Sequence, residues 1–251
     1  MRATLGRIIR KTLNPFLGAL HSELASTKRK RTLEEFLPFQ ETLTAAQKAG
    51  VSVGDYIDGL YNPGATRQTI DTITKAGVFE GKIDRICEIG PGSGRYLERV
   101  MEACQPSHYE IYETADDWAE YLVAKYHVQR LPCDRVRLGS TPTGSIDFAH
   151  AEKLFPGLPF LVTCNYIIEM ARVVRPAGWV VFDVITETCM DEKSVAACLA
   201  ANPWNWNWSP EIMPRQYMVD FAARRNLSLK ESFCVDLWPV RTEVFVFRKH
   251  E

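Results

Sequence analysis

Residues 85–95 read Arg-Ile-Cys-Glu-Ile-Gly-Pro-Gly-Ser-Gly-Arg, and they run from an apolar strand through a glycine-rich turn into a predicted helix. Glycine tolerates positive φ and close backbone approach, so a flat ligand can lie against such a turn. The dinucleotide fingerprint G-x-G-x-x-G needs a glycine at position 95, where this chain has Arg95. The phosphate-binding pattern G-x-x-x-x-G-K-[ST] does not match the turn either. The turn therefore predicts a ligand site of another kind.

On both sides of the turn, apolar strands alternate with helical patterns. Strands are predicted at 83–89, 108–113, 128–134, 145–150, 178–185, 229–237 and 242–248. Helices are predicted at 32–49, 66–76, 96–104, 116–126, 161–174 and 215–225, with a loop at 51–66 that contains Gly54, Gly59, Pro63 and Gly64. This alternation predicts an α/β fold: a doubly wound, seven-stranded, mostly parallel sheet with helices on both faces and an N-terminal helical extension. Ligands of such sheets bind at the carboxyl ends of the strands.

The composition limits the classes of function. The 251 residues, 46% of them hydrophobic, suit one α/β domain with an appendage. Thirty Lys and Arg balance 31 Asp and Glu, which argues against nucleic acid as the main partner. The seven cysteines lack zinc spacing and fit packing roles in a reducing compartment, so we expect no metal. A cytoplasmic protein is predicted, because the N-terminus lacks the features of a secretory signal.

Residues 1–36 differ from the rest of the chain in charge and pattern. They hold eight Lys and Arg against three acids, and their apolar residues follow a helical spacing that Pro15 interrupts. We predict a basic, amphipathic helical extension over 1–55 and the main domain over 56–251. The apolar face fits packing on the domain or on a second subunit, as in a homodimer. Peripheral contact with the inner face of a membrane is the alternative.

A second motif follows the turn at a set interval. The predicted strand 108–113 ends in Glu113, nineteen residues beyond Gly94. A doubly wound fold places an acid there to accept hydrogen bonds from ribose hydroxyls. The two motifs together indicate a ligand that contains a nucleoside.

The pattern E-x-G-x-G-x-G, with its acid at the strand end, resembles motif I of the class I methyltransferases that use S-adenosylmethionine. Ser145-Ile-Asp resembles the entry to that family's fourth strand, and residues 169–179 resemble its helix-to-strand junction, with Ala177 where a glycine is usual. The resemblance covers roughly residues 80–190. It implies that the glycines contact the methionine and ribose portions of S-adenosylmethionine, and that Asp134 binds the adenine amino group between Cys133 and Arg135. The implied cofactor-binding residues are Glu88, Gly90, Pro91, Gly92, Ser93, Gly94, Glu113, Thr114, Cys133, Asp134 and Arg135.

Methyl transfer from a sulfonium requires the protein mainly to position and deprotonate the acceptor. His150 ends the fourth predicted strand and is the candidate general base; an orienting or packing role is the alternative. Glu152 and Lys153 follow it as candidates to orient the base or bind hydroxyls. Asp183 lies on the fifth strand at the same rim and is a candidate substrate contact. The alternative for each of these residues is a role as a helix cap or as a member of a surface ion pair.

Two further segments are candidate acceptor contacts. Tyr61 and Arg67 precede the glycine turn, where a lid can fold over the cofactor. Trp204 and Trp206 lie in a loop rich in Trp and Asn, a composition that suits stacking on sugars. We predict a transferase that O-methylates a hydroxyl-rich acceptor, such as a saccharide or glycan intermediate. The alternatives are a methyltransferase for a small lipid-like or natural-product-like acceptor, and a catalytically silent scaffold at a membrane surface.

Overall fold

The computed structural model describes residues 37–200, 211–237 and 240–251, and residues 37–251 form one compact unit. Its helices are α1 Phe39–Ala49, α2 Val53–Tyr61, α3 Ala65–Lys75, α4 Arg95–Cys104, α5 Asp116–Tyr126, α6 Phe160–Val173, α7 Glu192–Ala200 and α8 Arg215–Ala223. Its strands are β1 Arg85–Ile89, β2 His108–Tyr112, β3 Gln129–Arg130, β4 Ile146–Ala151, β5 Val174–Thr186, β6 Ile212–Met213, β7 Leu227–Leu237 and β8 Val240–Lys249. The predicted division at residue 55 stays a prediction.

The strands form one sheet in the order β3-β2-β1-β4-β5-β8-β7, and the short β6 pairs with the end of β5. Strands β1 to β5 pair in parallel, whereas β8 is antiparallel to both β5 and β7. The predicted α/β fold with a doubly wound, mostly parallel sheet is confirmed. The order reverses between β1 and β4, and ligands of open α/β sheets bind at such a switch point.

Helices cover both faces of the sheet. One face packs on α3, α4 and α5 through a cluster that includes Ile73, Leu97, Ile111, Phe148 and Val181. The other face packs on α6 and α8 through a cluster that includes Cys87, Ala149, Ile167, Phe182 and Met218. Successive residues of a strand point to opposite faces, which explains why the two clusters take alternating positions from β1, β4 and β5.

The predicted loop at 51–66 is wrong over α2, Val53–Tyr61. The hydroxyl of Ser52 accepts a hydrogen bond from the backbone N–H of Asp55 at 3.0 Å and so caps this helix. A Cβ at Gly54 would lie 3.1 Å from the Cα of Arg95, so this glycine allows α2 to pack closely on α4. Gly54 therefore marks a helix contact and not a turn.

No helix among residues 37–200, 211–237 and 240–251 is long and apolar enough to span a membrane.

Candidate active site

The glycine turn joins β1 to α4 in the left-handed region of φ. Gly90, Gly92 and Gly94 have φ of 64°, 53° and 77°. A Cβ on Gly90 would lie 2.9 Å from Leu154, and one on Gly94 would clash with Leu122, whereas a Cβ on Gly92 would meet no atom of residues 37–200, 211–237 and 240–251 within 4 Å. The backbone at Gly92 is therefore the part of the turn that a ligand can approach.

Glu113 connects the glycine turn to the loop after β2. One carboxylate oxygen accepts a hydrogen bond from the N–H of Gly92 at 2.8 Å. The other accepts from Thr114 at 2.7 Å and from Ala115 at 2.8 Å. Oε1 already accepts two hydrogen bonds, whereas Oε2 accepts one, so the buried Glu113 can still bind one hydroxyl through Oε2.

A cavity of about 480 Å³ opens beside Glu113. Its lining brings four of the predicted cofactor residues together with four others: Glu113, Thr114, Cys133 and Arg135 with Asp116, Arg130, Leu131 and Pro132. Arg130 and Asp116 form an ion pair of 2.5 Å in this lining. This pair was not predicted from the sequence; Asp116 begins α5, three residues after Glu113. The mixture of carboxylate, guanidinium and apolar groups suits a polar ligand with a flat ring.

Asp134 does not line the cavity, although it was predicted to contact adenine. It is exposed, and its carboxylate accepts hydrogen bonds from the N–H groups of Val136 and Arg137 at 3.0 and 2.7 Å. The same carboxylate binds the guanidinium of Arg137 at 2.7 Å. The predicted strand at 128–134 is shortened to β3, and the chain after it forms a turn that Asp134 stabilises. The geometry thus favours Leu131 to Cys133, not the Asp134 carboxylate, as the neighbours of a flat ring.

His150 lies in β4, directly opposite Glu88 of β1 in the parallel register. Its side chain is fully buried, and both ring nitrogens have protein partners. Nδ1 is 2.7 Å from Glu152, and Nε2 is 2.8 Å from the hydroxyl of Tyr109. The prediction placed His150 beside an acceptor as a general base, but this burial leaves the imidazole without direct access to one. Tyr109, which sequence analysis missed, shares its sheet face with Ile111 and so lies under the helices with Glu88.

Burial and neighbouring charge set the proton affinities of this cluster. Burial raises the pKa of Glu88 to about 7, although the nearby His150 and the hydroxyl of Tyr109 oppose the rise. Burial alone would lower the pKa of His150, but the carboxylates of Glu152 and Glu88 outweigh it, so that the pKa is raised. Both groups therefore keep their protons to a higher pH than the same side chains do in water.

Glu88, His150 and Glu152 form a group that is able to hold a metal ion, since one ligand atom from each lies within 4.8 Å of the others. The hydrogen bonds of both His150 nitrogens already use its lone pair and its proton. The same group is therefore complete as a hydrogen-bonded cluster, and the expectation of no metal stays a prediction.

Lys153 and Asp183 form a buried ion pair between the loop after β4 and strand β5. Asp183 accepts hydrogen bonds from the backbone N–H of Lys153 at 2.6 Å and from its ammonium at 2.7 Å. The ammonium also donates to the hydroxyl of Thr242 at 2.6 Å. Lys153 and Asp183 are occupied with each other, which favours a structural role for both residues.

Of the predicted lid residues, Arg67 but not Tyr61 lines a second cleft of about 290 Å³, between α2 and the start of α4. Arg67 is exposed and lines this cleft together with Arg95 and Arg99. Tyr61 ends α2 and is half-buried, and burial raises the pKa of its phenol. The cleft has the positive charge that a carboxylate would need, although Asp55 and Asp58 also line it. Trp204 and Trp206 lie outside the described residues.

Solved structures share this architecture at low sequence identity. An O-methyltransferase family protein from Burkholderia thailandensis is 16% identical, with a TM-score of 0.57 over 98% of this chain and 70% of that one. The 1,6-didemethyltoxoflavin-N1-methyltransferase of the same organism, solved with bound 1,6-didemethyltoxoflavin and S-adenosylhomocysteine, is 15% identical. Its TM-score is 0.56 over 86% of this chain and 92% of that one. The chain therefore has the class I methyltransferase fold.

The same fold also serves another reaction. The [4+2]-cyclase SpnF is 13% identical, with a TM-score of 0.55 over 73% of this chain and 80% of that one. No protein-family model and no curated protein sequence matches the chain. The fold alone therefore does not define the activity, which depends on the residues of the site.

The three glycines allow a matched test of the turn. We expect Gly94→Ala to lower the free energy of unfolding by about 2 kcal/mol, because its Cβ would clash with Leu122 and φ is positive. Gly92→Ala keeps the φ penalty but has open space around its Cβ, so about 1 kcal/mol is expected. Urea unfolding of the two variants measures the difference. Equal losses would mean that the contact with Leu122 does not restrict position 94.

Proposed function

We propose that the chain is a methyltransferase that uses S-adenosylmethionine. The observation that carries the proposal is the position of Glu113, which bonds to the backbone of the glycine turn and lines the cavity beside it. Oε2 of this carboxylate can accept a hydroxyl of a ribose, while the open backbone at Gly92 leaves room for the rest of the nucleoside. When bound, S-adenosylmethionine supplies an activated methyl group on a sulfonium.

Different residues around the cavity and the second cleft would bind the ribose, the adenine ring and the carboxylate of the ligand. Glu113 holds the ribose, and Leu131, Pro132 and Cys133 provide an apolar wall for the adenine ring. Arg67 and Arg95, in the second cleft, supply positive charge at the side of α4 on which a carboxylate of the ligand would lie. This division replaces the adenine contact first assigned to Asp134.

A binding experiment tests the proposal. We expect S-adenosylhomocysteine at 100 times its dissociation constant to stabilise the wild-type chain by about 2.7 kcal/mol. Glu113→Gln is expected to weaken this binding about 10-fold to 100-fold, because hydrogen bonds to a charged group contribute about 1.5–3 kcal/mol. Isothermal titration calorimetry measures the affinity, with the free energy of unfolding recorded for each variant.

Asp116→Asn is the matched control, since Asp116 lines the same cavity but its side chain is 82% exposed. Its affinity is expected to stay within a few-fold of wild type. Wild-type affinity in Glu113→Gln would exclude the ribose assignment. No binding of S-adenosylhomocysteine by the wild-type chain would favour the catalytically silent scaffold.

The narrower proposal is O-methylation of a hydroxyl-rich acceptor such as a saccharide, and it rests on the sequence of the Trp-rich loop around Trp204 and Trp206. A small natural-product-like or lipid-like acceptor is the competing proposal. Turnover with a panel of monosaccharides, glycosides, phenols and lipids separates the two. Methylation of phenols or lipids alone would exclude the saccharide.

Contact of residues 1–36 with a membrane at the cytoplasmic face is a separate proposal, based on their basic, amphipathic sequence. Vesicles with anionic lipids should carry the wild-type chain upward in flotation, whereas substitution of Lys28, Arg29, Lys30 and Arg31 by Glu should abolish this. Equal flotation of both chains would contradict the proposal. The alternative is that residues 1–36 pack on a second subunit. In that case light scattering would give twice the mass of one chain.

A further inference from the structure

Four buried polar side chains form a continuous hydrogen-bonded chain below the glycine turn. Glu152 is 2.7 Å from Nδ1 of His150, and Nε2 of His150 is 2.8 Å from the hydroxyl of Tyr109. That hydroxyl is in turn 2.7 Å from Glu88. The chain crosses three neighbouring strands, from the end of β4 through β2 to β1, and every link has the length of a hydrogen bond.

The hydrogens of this chain have two complete arrangements. In one, Glu152 donates to Nδ1 of His150, Nε2–H donates to Tyr109, and the Tyr109 hydroxyl donates to an ionised Glu88. In the other, every proton has moved one link along, so that Glu152 is ionised and Glu88 is protonated. Both arrangements satisfy the same heavy-atom positions, because a hydroxyl and a neutral imidazole can each accept and donate. The two arrangements hold the same number of protons and differ by the net transfer of one proton from Glu152 to Glu88.

The two ends of the chain differ in their surroundings. Oε1 of Glu152 is buried and has no hydrogen-bond partner among the described residues. A buried carboxylate oxygen without a donor is costly, and Glu152 directly follows β4, at the strand end where ligands bind. Oε1 therefore lacks a donor that an O–H or N–H group of a ligand could supply once it reached this strand end. Glu88, at the other end, is buried where it can keep a proton near neutral pH.

We propose that Glu152, His150, Tyr109 and Glu88 form a proton relay that takes up a proton at Oε1 of Glu152 and protonates Glu88. Three transfers complete it: Oε2 of Glu152 gives its proton to Nδ1, Nε2 gives its proton to the Tyr109 oxygen, and the Tyr109 hydroxyl gives its proton to Glu88. In this scheme Glu152 meets the ligand, and His150 acts through Glu152.

The use of the relay in methyl transfer rests on the proposed function. The acceptor O–H bond breaks as the acceptor oxygen forms a bond to the methyl carbon, and the carbon–sulfur bond breaks with its electron pair left on sulfur. The released proton goes to Oε1 of Glu152. The relay ends with this proton's equivalent on Glu88, so charge and atoms balance.

Other groups face the relay from the elements packed against it. The carboxylate of Glu113, beyond the end of β2, adds to the negative charge at Glu88. The thiol of Cys104, at the end of α4, faces Tyr109. The ring of Phe148 stacks on His150 at 4.6 Å between ring centroids and shields one side of the imidazole.

A pH jump followed by infrared spectroscopy tests the relay without cofactor or acceptor. The carboxyl band that is lost in Glu88→Gln reports the protonation of Glu88. We expect Tyr109→Phe to slow the appearance of this band at least tenfold, because the phenyl ring fills the same space but carries no proton. Glu152→Gln should slow it as well, since an amide does not pass a proton from one end to the other, and it serves if Tyr109→Phe fails to fold.

Tyr112→Phe is the matched control. Tyr112 lies on the same strand and is equally buried, but its hydroxyl bonds to Thr141 on the opposite face of the sheet. Wild-type rates are expected in this variant. Wild-type rates in both Tyr109→Phe and Glu152→Gln would overturn the relay. The affinity for S-adenosylhomocysteine is measured on the same variants. Absence of this affinity in the wild-type chain would contradict the proposed function, whereas the infrared rates test the relay alone.

Discussion

Asp183→Ala is expected to lower the free energy of unfolding by about 3–5 kcal/mol, because it leaves the ammonium of Lys153 buried without its counter-ion. The Asp183 side chain is fully buried, and that of Lys153 is only 9% exposed. The hydroxyl of Thr242 would remain as a neutral partner, which does not replace a charge. Urea unfolding measures the loss.

The double variant Lys153→Met with Asp183→Leu is the informative companion. It removes both charges, and it should recover most of the stability lost in Asp183→Ala, since replacing a buried pair by apolar residues is often neutral. Lys82→Ala, at an exposed pair with Asp84, should leave the unfolding curve essentially unchanged. An Asp183→Ala variant as stable as wild type would show that Lys153 reaches water.

The second large effect is a fall in stability as the pH rises from about 5 to 8. Unfolded Glu88 loses its proton near its ordinary pKa of 4.5, whereas in the folded chain its pKa is about 7. The folded state therefore binds more protons between these values, and its stability decreases as the pH rises. The pKa of His150 is also raised. The stability that His150 contributes is therefore present below its ordinary pKa of 6.5 and is lost as the pH rises.

Glu88→Gln should reduce this fall by about 3 kcal/mol, since each pKa unit corresponds to about 1.4 kcal/mol. Urea unfolding of both chains at several pH values gives the difference. Asp147 and Glu169 have lowered pKa values, so the stability that they contribute is lost only as the pH falls below about 5. Both residues are present in the wild-type chain and in Glu88→Gln, so their effect cancels in the comparison. Parallel pH curves for the two chains would contradict a raised pKa at Glu88.

The sequence predicted the sheet and the glycine turn well because both depend on local patterns. The alternation of strands and helices locates β1, β2, β4 and β5, and the spacing to Glu113 identifies the acid beside the turn. The helix Val53–Tyr61 was missed because Gly54 suggests a turn when its neighbours are unknown. Only the packed helix α4 reveals why a glycine is needed there.

The candidate catalytic residues were harder to interpret for the same physical reason. The position of His150 in the chain indicates the correct strand end, but it does not reveal that the imidazole points under the helices toward Tyr109. Asp134 likewise follows the expected strand, yet the shortening of β3 turns its carboxylate to Arg137. Sequence spacing gives the strand end, whereas side-chain direction depends on contacts between distant residues.

The last strand has a consequence for how the chain acquires its structure. Strand β8 comes later in the sequence than every strand it joins, yet it lies between β5 and β7. Until β8 emerges during synthesis, the apolar edge of β5 is unpaired and Lys153 lacks the hydroxyl of Thr242. If synthesis stops before residue 240, the backbone N–H and C=O groups along this edge of β5 stay unpaired. Such an edge can pair with another chain, so we expect the incomplete chain to aggregate unless a chaperone binds it.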